Sequence, residues 1–339
     1  MFAIHGYASD IFLDWLMSIG SYLPNVVRLQ LVGLHYCESL PPVNQLPNLR
    51  EHTLKDMYSL EEWDTSPFFS GEAAVNELIS CMLEQVNIHG CPKLRIAPHL
   101  PRAASWSIIE SDNVLTSWPE SVSQNGASSS SSAAGPINLA VENIGVPLHQ
   151  WRLLHHVPDK SHLHITRCSD LTSSAEITRA LQSFNSLKLE EPVDGEPRLY
   201  DKLPDWLGGF SSLEKGYYDI LPDWLGDLTS LEQLEILDCA LEELPDSMRQ
   251  LKQVKSLTLD LCTCLRQLPP WLGELTSLRK LQLTTCQDLI SFPKNILQEL
   301  TNLQELGIEE CDELEPWCEL GENKMLLARL QPKKWRPSM

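Results

Sequence analysis

Four consecutive segments decide the reading of this chain. They are LPDWLGDLTSLEQLEILDCALEE (221–243), LPDSMRQLKQVKSLTLDLCTCLRQ (244–267), LPPWLGELTSLRKLQLTTCQDLIS (268–291) and FPKNILQELTNLQELGIEECDELE (292–315). Their starts lie 23, 24 and 24 residues apart. Each holds the frame LxxLxLxxC: Leu231, Leu234, Ile236, Cys239; Val254, Leu257, Leu259, Cys262; Leu278, Leu281, Leu283, Cys286; Leu303, Leu306, Ile308, Cys311. Self-similarity at such a period marks a stacked-repeat architecture. The central L-x-L has period 2, so it reads as a strand whose apolar residues turn inward and whose x residues turn outward onto a shared parallel sheet. The Cys turns the chain inward after the strand, where it can satisfy backbone groups of the neighbouring turn. The LPxxL piece runs on the opposite side, and its Pro blocks a long helix there. One unit cannot bury its own apolar face, so stability must come from stacking. The expected fold is an α/β leucine-rich-repeat solenoid. It is a curved horseshoe with a parallel β-sheet on the concave face and irregular or short helical segments on the convex face.

The N-terminal half follows the same grammar with more substitutions. Val26, Leu29 and Leu31 fit the strand frame, as do Leu83, Val86, Ile88 and Cys91, then Leu163, Ile165 and Cys168, then Phe184, Leu187 and Leu189. Around Leu49 and Leu54 the frame recurs, but His52 takes an inward position. Phe2 and Ile4 read as a strand already under way, which implies a fold continuing upstream of Met1 or a fragment. The segment 203–220 is a shortened unit of 18 residues in which EKGYYD replaces the strand. Residues 123–136, SQNGASSSSSAAGP, have a flexible-excursion composition. The expected organisation is an N-terminal repeat arm at 1–116, an insertion at 117–147, a C-terminal arm at 148–320 and a tail at 321–339. A smaller loop is expected near 64–80.

Composition removes several function classes. The chain has 339 residues, 42% of them apolar, enough to bury a core. Against 26 Lys and Arg stand 46 Asp and Glu, a formal charge of −20. That balance opposes nucleic acid and anionic membrane surfaces as partners. No apolar run reaches the length of a bilayer-spanning helix, and the first residues lack a secretory signal. Ten dispersed cysteines do not form a disulfide framework, and no N-x-[ST] sequon is present. These features point to a reducing cytoplasmic setting, with the nucleus as the variant. No catalytic constellation emerges. His155, His156, His162, His164 and Cys168 lie close in sequence but lack paired metal-ligand spacing. The acidic run Glu309, Glu310, Asp312, Glu313 and Glu315 lacks a calcium-loop pattern. No metal, cofactor or enzymatic activity is expected. The basic KKWR at 333–336 reads as a tail able to fold back on that acidic rim.

Beyond leucine spacing, several phrases carry a resemblance. LPxxLGxLTSLxxLxLxxC, VNIHGCPKL (86–94), ESLPPVNQLPNLRE (38–51), IHGYASDIFLDWL (4–16) and WCELGENKMLLARL (317–330) resemble the repeats of plant nucleotide-binding disease-resistance proteins, especially the coiled-coil class of grasses. That family switches between ATP and ADP through a domain upstream of its repeats. The chain has no G-x-x-x-x-G-K-[ST] phosphate loop and no Gly-Lys pair. The resemblance therefore implies a recognition region without the nucleotide motor.

The outward positions of the four clear repeats are the candidate partner-binding residues: Glu232, Gln233, Glu235 and Asp238; Lys255, Ser256, Thr258 and Asp260; Arg279, Lys280, Gln282 and Thr284; Gln304, Glu305, Glu309 and Glu310. In this grouping acidic repeats bracket a basic stripe of Lys255, Arg279 and Lys280, suited to a partner of mixed charge. The resemblance implies a protein partner: a pathogen effector, a host target or a nucleotide-binding domain. The other readings are a truncated or decayed receptor fragment acting as adaptor, as decoy or without function, and an extracellular repeat protein, whose LxGxIP phrase is missing here.

Overall fold

The computed structural model describes residues 1–9, 12, 14–65, 83–98, 100–118, 135–168, 170–191, 221–321, 323, 325, 327 and 335–336. The shortened unit at 203–220, most of the 123–136 run and nearly all of the 64–80 loop lie outside these. The chain divides into two compact units, Met1–Asn185 and Ser186–Met339.

In the first unit a parallel sheet is built from β1 (Phe2–His5), β2 (Arg28–Val32), β3 (Glu51–Lys55), β5 (Leu83–His89), β7 (Ala103–Ile109), β8 (Asn138–Glu142) and β9 (Ser161–Thr166), in that order. A second, two-stranded parallel sheet joins β4 (Glu62–Asp64) to β6 (Arg95–Ala97). In the second unit β10 (Phe184–Glu190, from Ser186 onward), β11 (Gln233–Leu237), β12 (Ser256–Asp260), β13 (Lys280–Thr284), β14 (Glu305–Glu309) and β15 (Trp335–Arg336) pair in parallel one after another. The solenoid and its parallel sheet are thus as the repeat frame predicts.

One strand departs from the sequence-based layout. β8 falls within 117–147, assigned to an insertion, yet it pairs with both β7 and β9. The frame was masked there because Trp106 takes a leucine position in β7, while Ser111 and Ile144 take the cysteine position after β7 and β8.

The register explains the core. Leu234 stands opposite Leu257, Leu281 and then Leu306, while Ile236 stands opposite Leu259, Leu283 and then Ile308. All eight are buried. Two apolar columns therefore run through the stack, and each buried branched side chain contributes about 1.5–3 kcal/mol relative to exposure. Opposite the sheet, each LPxxL piece enters a short 3-10 turn: Asp223–Asp227, Asp246–Gln250 and Pro270–Glu274. Pro222, Pro245 and Pro269 hold extended backbone just before these turns, with ψ of 142°, 143° and 147°. The turns stack tightly, since a Cβ on Gly226 would collide with the carbonyl of Ser247.

A local feature recurs at most sheet corners. The residue after the strand adopts a left-handed backbone: Gly33, Asp56, Gly90, Glu110, Asn143 and Arg167 in the first unit, and Asp238, Leu261, Thr285 and Glu310 in the second. At eight of these corners the N–H bonds the strand-end carbonyl of the next repeat, as from Asp238 to Asp260 (2.8 Å) and from Leu261 to Thr284 (3.0 Å). The turn is therefore imposed by the ladder, whatever side chain sits there. Left-handed backbone costs a non-glycine residue about 1–2 kcal/mol. Thr285, β-branched and at φ 52°, is a clear case. Thr285→Gly should raise unfolding free energy by about 0.5–1 kcal/mol once the greater freedom of unfolded glycine is subtracted. Urea titration of the two proteins reads this directly, and a lower midpoint for the glycine variant would refute the strain at this corner.

Candidate functional site

The open face of the second-unit sheet is the surface to which the candidate binding residues contribute. Because the strands are parallel and in register, outward side chains fall into rows across the repeats. The first row is Ser186, Gln233, Ser256, Lys280 and Glu305. The second is Lys188, Glu235, Thr258, Gln282 and Gly307, and the third is Glu190, Leu237, Asp260, Thr284 and Glu309. One residue later the left-handed corners form a fourth line of Asp238, Leu261, Thr285 and Glu310.

Ten of the sixteen candidates are therefore strand residues of this face: Gln233, Glu235, Ser256, Thr258, Asp260, Lys280, Gln282, Thr284, Glu305 and Glu309. Glu232, Lys255, Arg279 and Gln304 precede their strands, where Lys255 and Ser256 both donate backbone N–H groups to the Glu232 carbonyl (2.7 and 3.2 Å). Asp238 and Glu310 occupy corners and not strands, so grouping Asp238 with Asp260 is out of register by one residue. Sequence reasoning left out Leu237, the β10 residues and Gly307. Strict alternation from Leu234 and Ile236 would have turned Leu237 outward. At Gly307 the missing side chain leaves room for the Gln282 amide, which a Cβ there would strike.

The charges segregate along the strand axis. Lys255, Arg279 and Lys280 all lie at the amino ends of their strands, and the stripe is partly neutralised within the sheet. Lys255 Nζ reaches Glu232 at 2.8 Å, and Lys280 Nζ reaches Glu305 at 3.8 Å. Cross-repeat register creates both pairs. Such half-exposed pairs are worth about 0–1 kcal/mol and fix side-chain position more than stability. Asp260, Glu309, Asp238 and Glu310 gather at the carboxyl ends. Burial raises the Asp260 carboxyl above its usual range, and Glu310, Asp238 and Glu190 push it the same way. Glu190 itself is paired with Lys188 along β10 at 2.7 Å.

In the first unit the corresponding middle row is Gln30, Thr53, Asn87, Ser107, Ala140 and His164, with no carboxylate, lysine or arginine among them. The histidine cluster does not converge. His162 and His164 face outward on β9, whereas His155 approaches Glu176 at 3.6 Å and His156 lies against Trp118 at 4.8 Å with the rings tilted by 40°. Cys168 is buried. Among the described residues no group of three or more His, Cys, Asp or Glu side chains could hold a metal ion.

Cysteines at the inward turn donate S–H mainly to the carbonyl two residues back: Cys239 to Leu237 (3.1 Å), Cys286 to Thr284 (3.5 Å) and Cys311 to Glu309 (3.3 Å). Bonds to the preceding repeat also occur, from Cys262 to Ile236 and from Cys286 to Leu259, each at 3.7 Å. Burial pushes the thiols of Cys91, Cys168 and Cys239 up to about 12. For Cys286, also about 12, the hydrogen bond with Cys262 is the larger cause. Thiols held protonated in this way are structural donors and poor nucleophiles.

One comparison with known sequence families agrees with this architecture. A sequence profile of the family described as "Leucine-rich repeat region" matches residues 210–331. No curated protein sequence matches the chain. Similar solved structures include the leucine-rich repeat domain of the type III effector XopL, at 18% identity and TM-score 0.35, covering 88% of this chain and 73% of that one. TLR13 in complex with ssRNA13 is similar at 16% identity and TM-score 0.43, over 85% of this chain and 43% of that chain. A leucine-rich-repeat protein of Leptospira interrogans is similar at 16% identity and TM-score 0.34, over 99% and 95%. These likenesses concern the repeat fold, and what each protein binds belongs to that protein.

Proposed function

We propose that this chain is a non-enzymatic protein-recognition module of plant defence. The observation that carries the reading is the registered open face of the second unit, which aligns polar and charged side chains in rows across five strands. A rigid sheet presents such groups without a large ordering cost, which favours recognition of a folded partner. The defence setting is supported by the phrases that resemble the repeats of plant nucleotide-binding resistance proteins. On that resemblance the partner is a pathogen effector, a host target or a nucleotide-binding domain held at rest. The setting is the cytosol, since thiols that serve as hydrogen-bond donors along the stack do so only when reduced. Net charge of −20 disfavours nucleic acid as the ligand.

The test places a photo-crosslinking residue at Thr258 or Gln282 on the open face, and at exposed Lys294 away from it, in protein expressed in leaf cells. A specific protein adduct is expected at 258 and 282 and not at 294. Reversing Lys255, Arg279 and Lys280 to Glu together should weaken capture about tenfold or more. Equal capture at all three sites, or none at the two face positions, would refute recognition by this face.

A further inference from the structure

The carboxyl edge of that same face carries a feature that general protein recognition does not require. The corner line holds Asp238, Thr285 and Glu310, but at its centre it holds Leu261, 40% exposed at φ 54°. Left-handed backbone recurs at this corner in four consecutive repeats, and leucine suits neither that backbone nor that exposure. Half-buried Leu237 lies outward on the adjacent strand, one residue earlier in register. The two leucines form a small apolar spot beside Asp238 and Asp260, and Glu309 and Glu310 lie two strands further along the same edge, past Thr284 and Thr285. Among the described side chains of the third row and the corner line none is cationic. Neither Asp260 nor Glu309 has an ion-pair partner among the described residues. The chain itself supplies one basic segment to this region: β15, from the KKWR stretch, pairs with β14 and sets the Arg336 backbone opposite Glu309.

We infer that the carboxyl edge of the second-unit sheet face docks a short basic segment of a partner protein, with one apolar side chain seated on Leu237 and Leu261 and flanking Lys or Arg residues against Asp238, Asp260 and Glu309. The inference rests on the recognition reading above and names the chemistry of its partner. An apolar centre supplies affinity and the acidic surround supplies orientation and rejects acidic sequences. Burial does most to raise the Asp260 carboxyl, and the smaller repulsion from Glu310, Asp238 and Glu190 that adds to it is relieved by a cation.

The experiment measures fluorescence anisotropy of labelled GKLRWKG and GELEWEG peptides with the purified full chain at low and high salt. The basic peptide should bind at least about tenfold tighter than the acidic one and weaken as salt rises. Leu261→Asn keeps a residue suited to left-handed backbone, so the corner stays folded; it and Asp260→Asn should each weaken the basic peptide about fivefold or more. Lys294→Gln, at an exposed position away from the face, should change it less than about twofold. Equal binding of the two peptides overturns the inference, as does salt-sensitive binding that ignores both Leu261→Asn and Asp260→Asn. If the peptides fail while crosslinkers at Thr258 and Gln282 still capture a protein, recognition by the face stands and the edge assignment falls. If both fail, both readings fall.

Discussion

Leu257→Ala is expected to lower the unfolding free energy by about 2–5 kcal/mol, whereas Thr258→Ala, its neighbour in sequence, should change it by about 0.5 kcal/mol or less. The two residues are consecutive in β12, but alternation sends Leu257 inward and Thr258 outward. Leu257 is fully buried between Leu234 and Leu281, its register partners in the repeats on either side. Truncation removes transfer energy and leaves a cavity that the regular stack cannot collapse without shifting two neighbours. In a solenoid each repeat is stabilised mainly by its neighbours, so a weak rung also loosens the coupling of β10 and β11 to β13 and β14. Urea unfolding followed by circular dichroism gives the size of the loss. Limited proteolysis gives its place, with new cleavage expected between residues 244 and 268. A Leu257→Ala protein as stable as the original, or a Thr258→Ala protein equally damaged, would contradict the inward column.

How much of this was legible before the structure depends on which physical signal carried it. The columns Leu234, Leu257, Leu281, Leu306 and Ile236, Leu259, Leu283, Ile308 were readable because period-2 patterning fixes the buried face. β7 and β8 were not, because Trp106, Ser111 and Ile144 keep the geometry while breaking the spelling. The left-handed corner was hidden for the same reason. Gly33, Gly90 and Asn143 hint at it, but Leu261 and Thr285 hold the same backbone only because the ladder imposes it. For the open face, sequence supplied most residues and misread their grouping. A list taken repeat by repeat shows basic residues bracketed by acidic ones. Only the register shows that Lys255, Arg279 and Lys280 share the amino edge while Asp260 and Glu309 share the other, and that Glu232 and Glu305 answer two of the cations.

His52 provides the second large effect, this time in the first unit and through pH. It occupies an inward position of β3, opposite Leu29 on β2 and Val86 on β5, and is fully buried. Its Nδ1 lies 3.3 Å from the Leu29 carbonyl, and Trp63 meets the ring edge-on at 5.1 Å. The buried Nε2 has no hydrogen-bond partner among the described residues. The contact with the carbonyl assigns the proton to Nδ1 and leaves Nε2 bare, so a second proton would put a cation in an apolar column. Burial accordingly lowers the pKa from 6.5 to about 4, against the smaller opposing effect of the Leu29 carbonyl. Between those values the unfolded chain binds a proton that the native chain does not. Stability therefore rises with pH through this window and is lost as pH falls through it, by on the order of 3 kcal/mol when the whole window is crossed. His52→Leu restores an apolar residue of similar size. At pH 7 it should be more stable than the original by about 1 kcal/mol, since it removes a buried polar atom without a partner. By pH 5 the gap should widen by about 2 kcal/mol, because only the original chain is still paying to keep the imidazole neutral. Carboxylates titrate in both proteins, so the difference between the two urea midpoints isolates His52 as pH is lowered from 7 to 5. A gap that stays constant across that range would mean the imidazole is protonated, or exposed, in the native column.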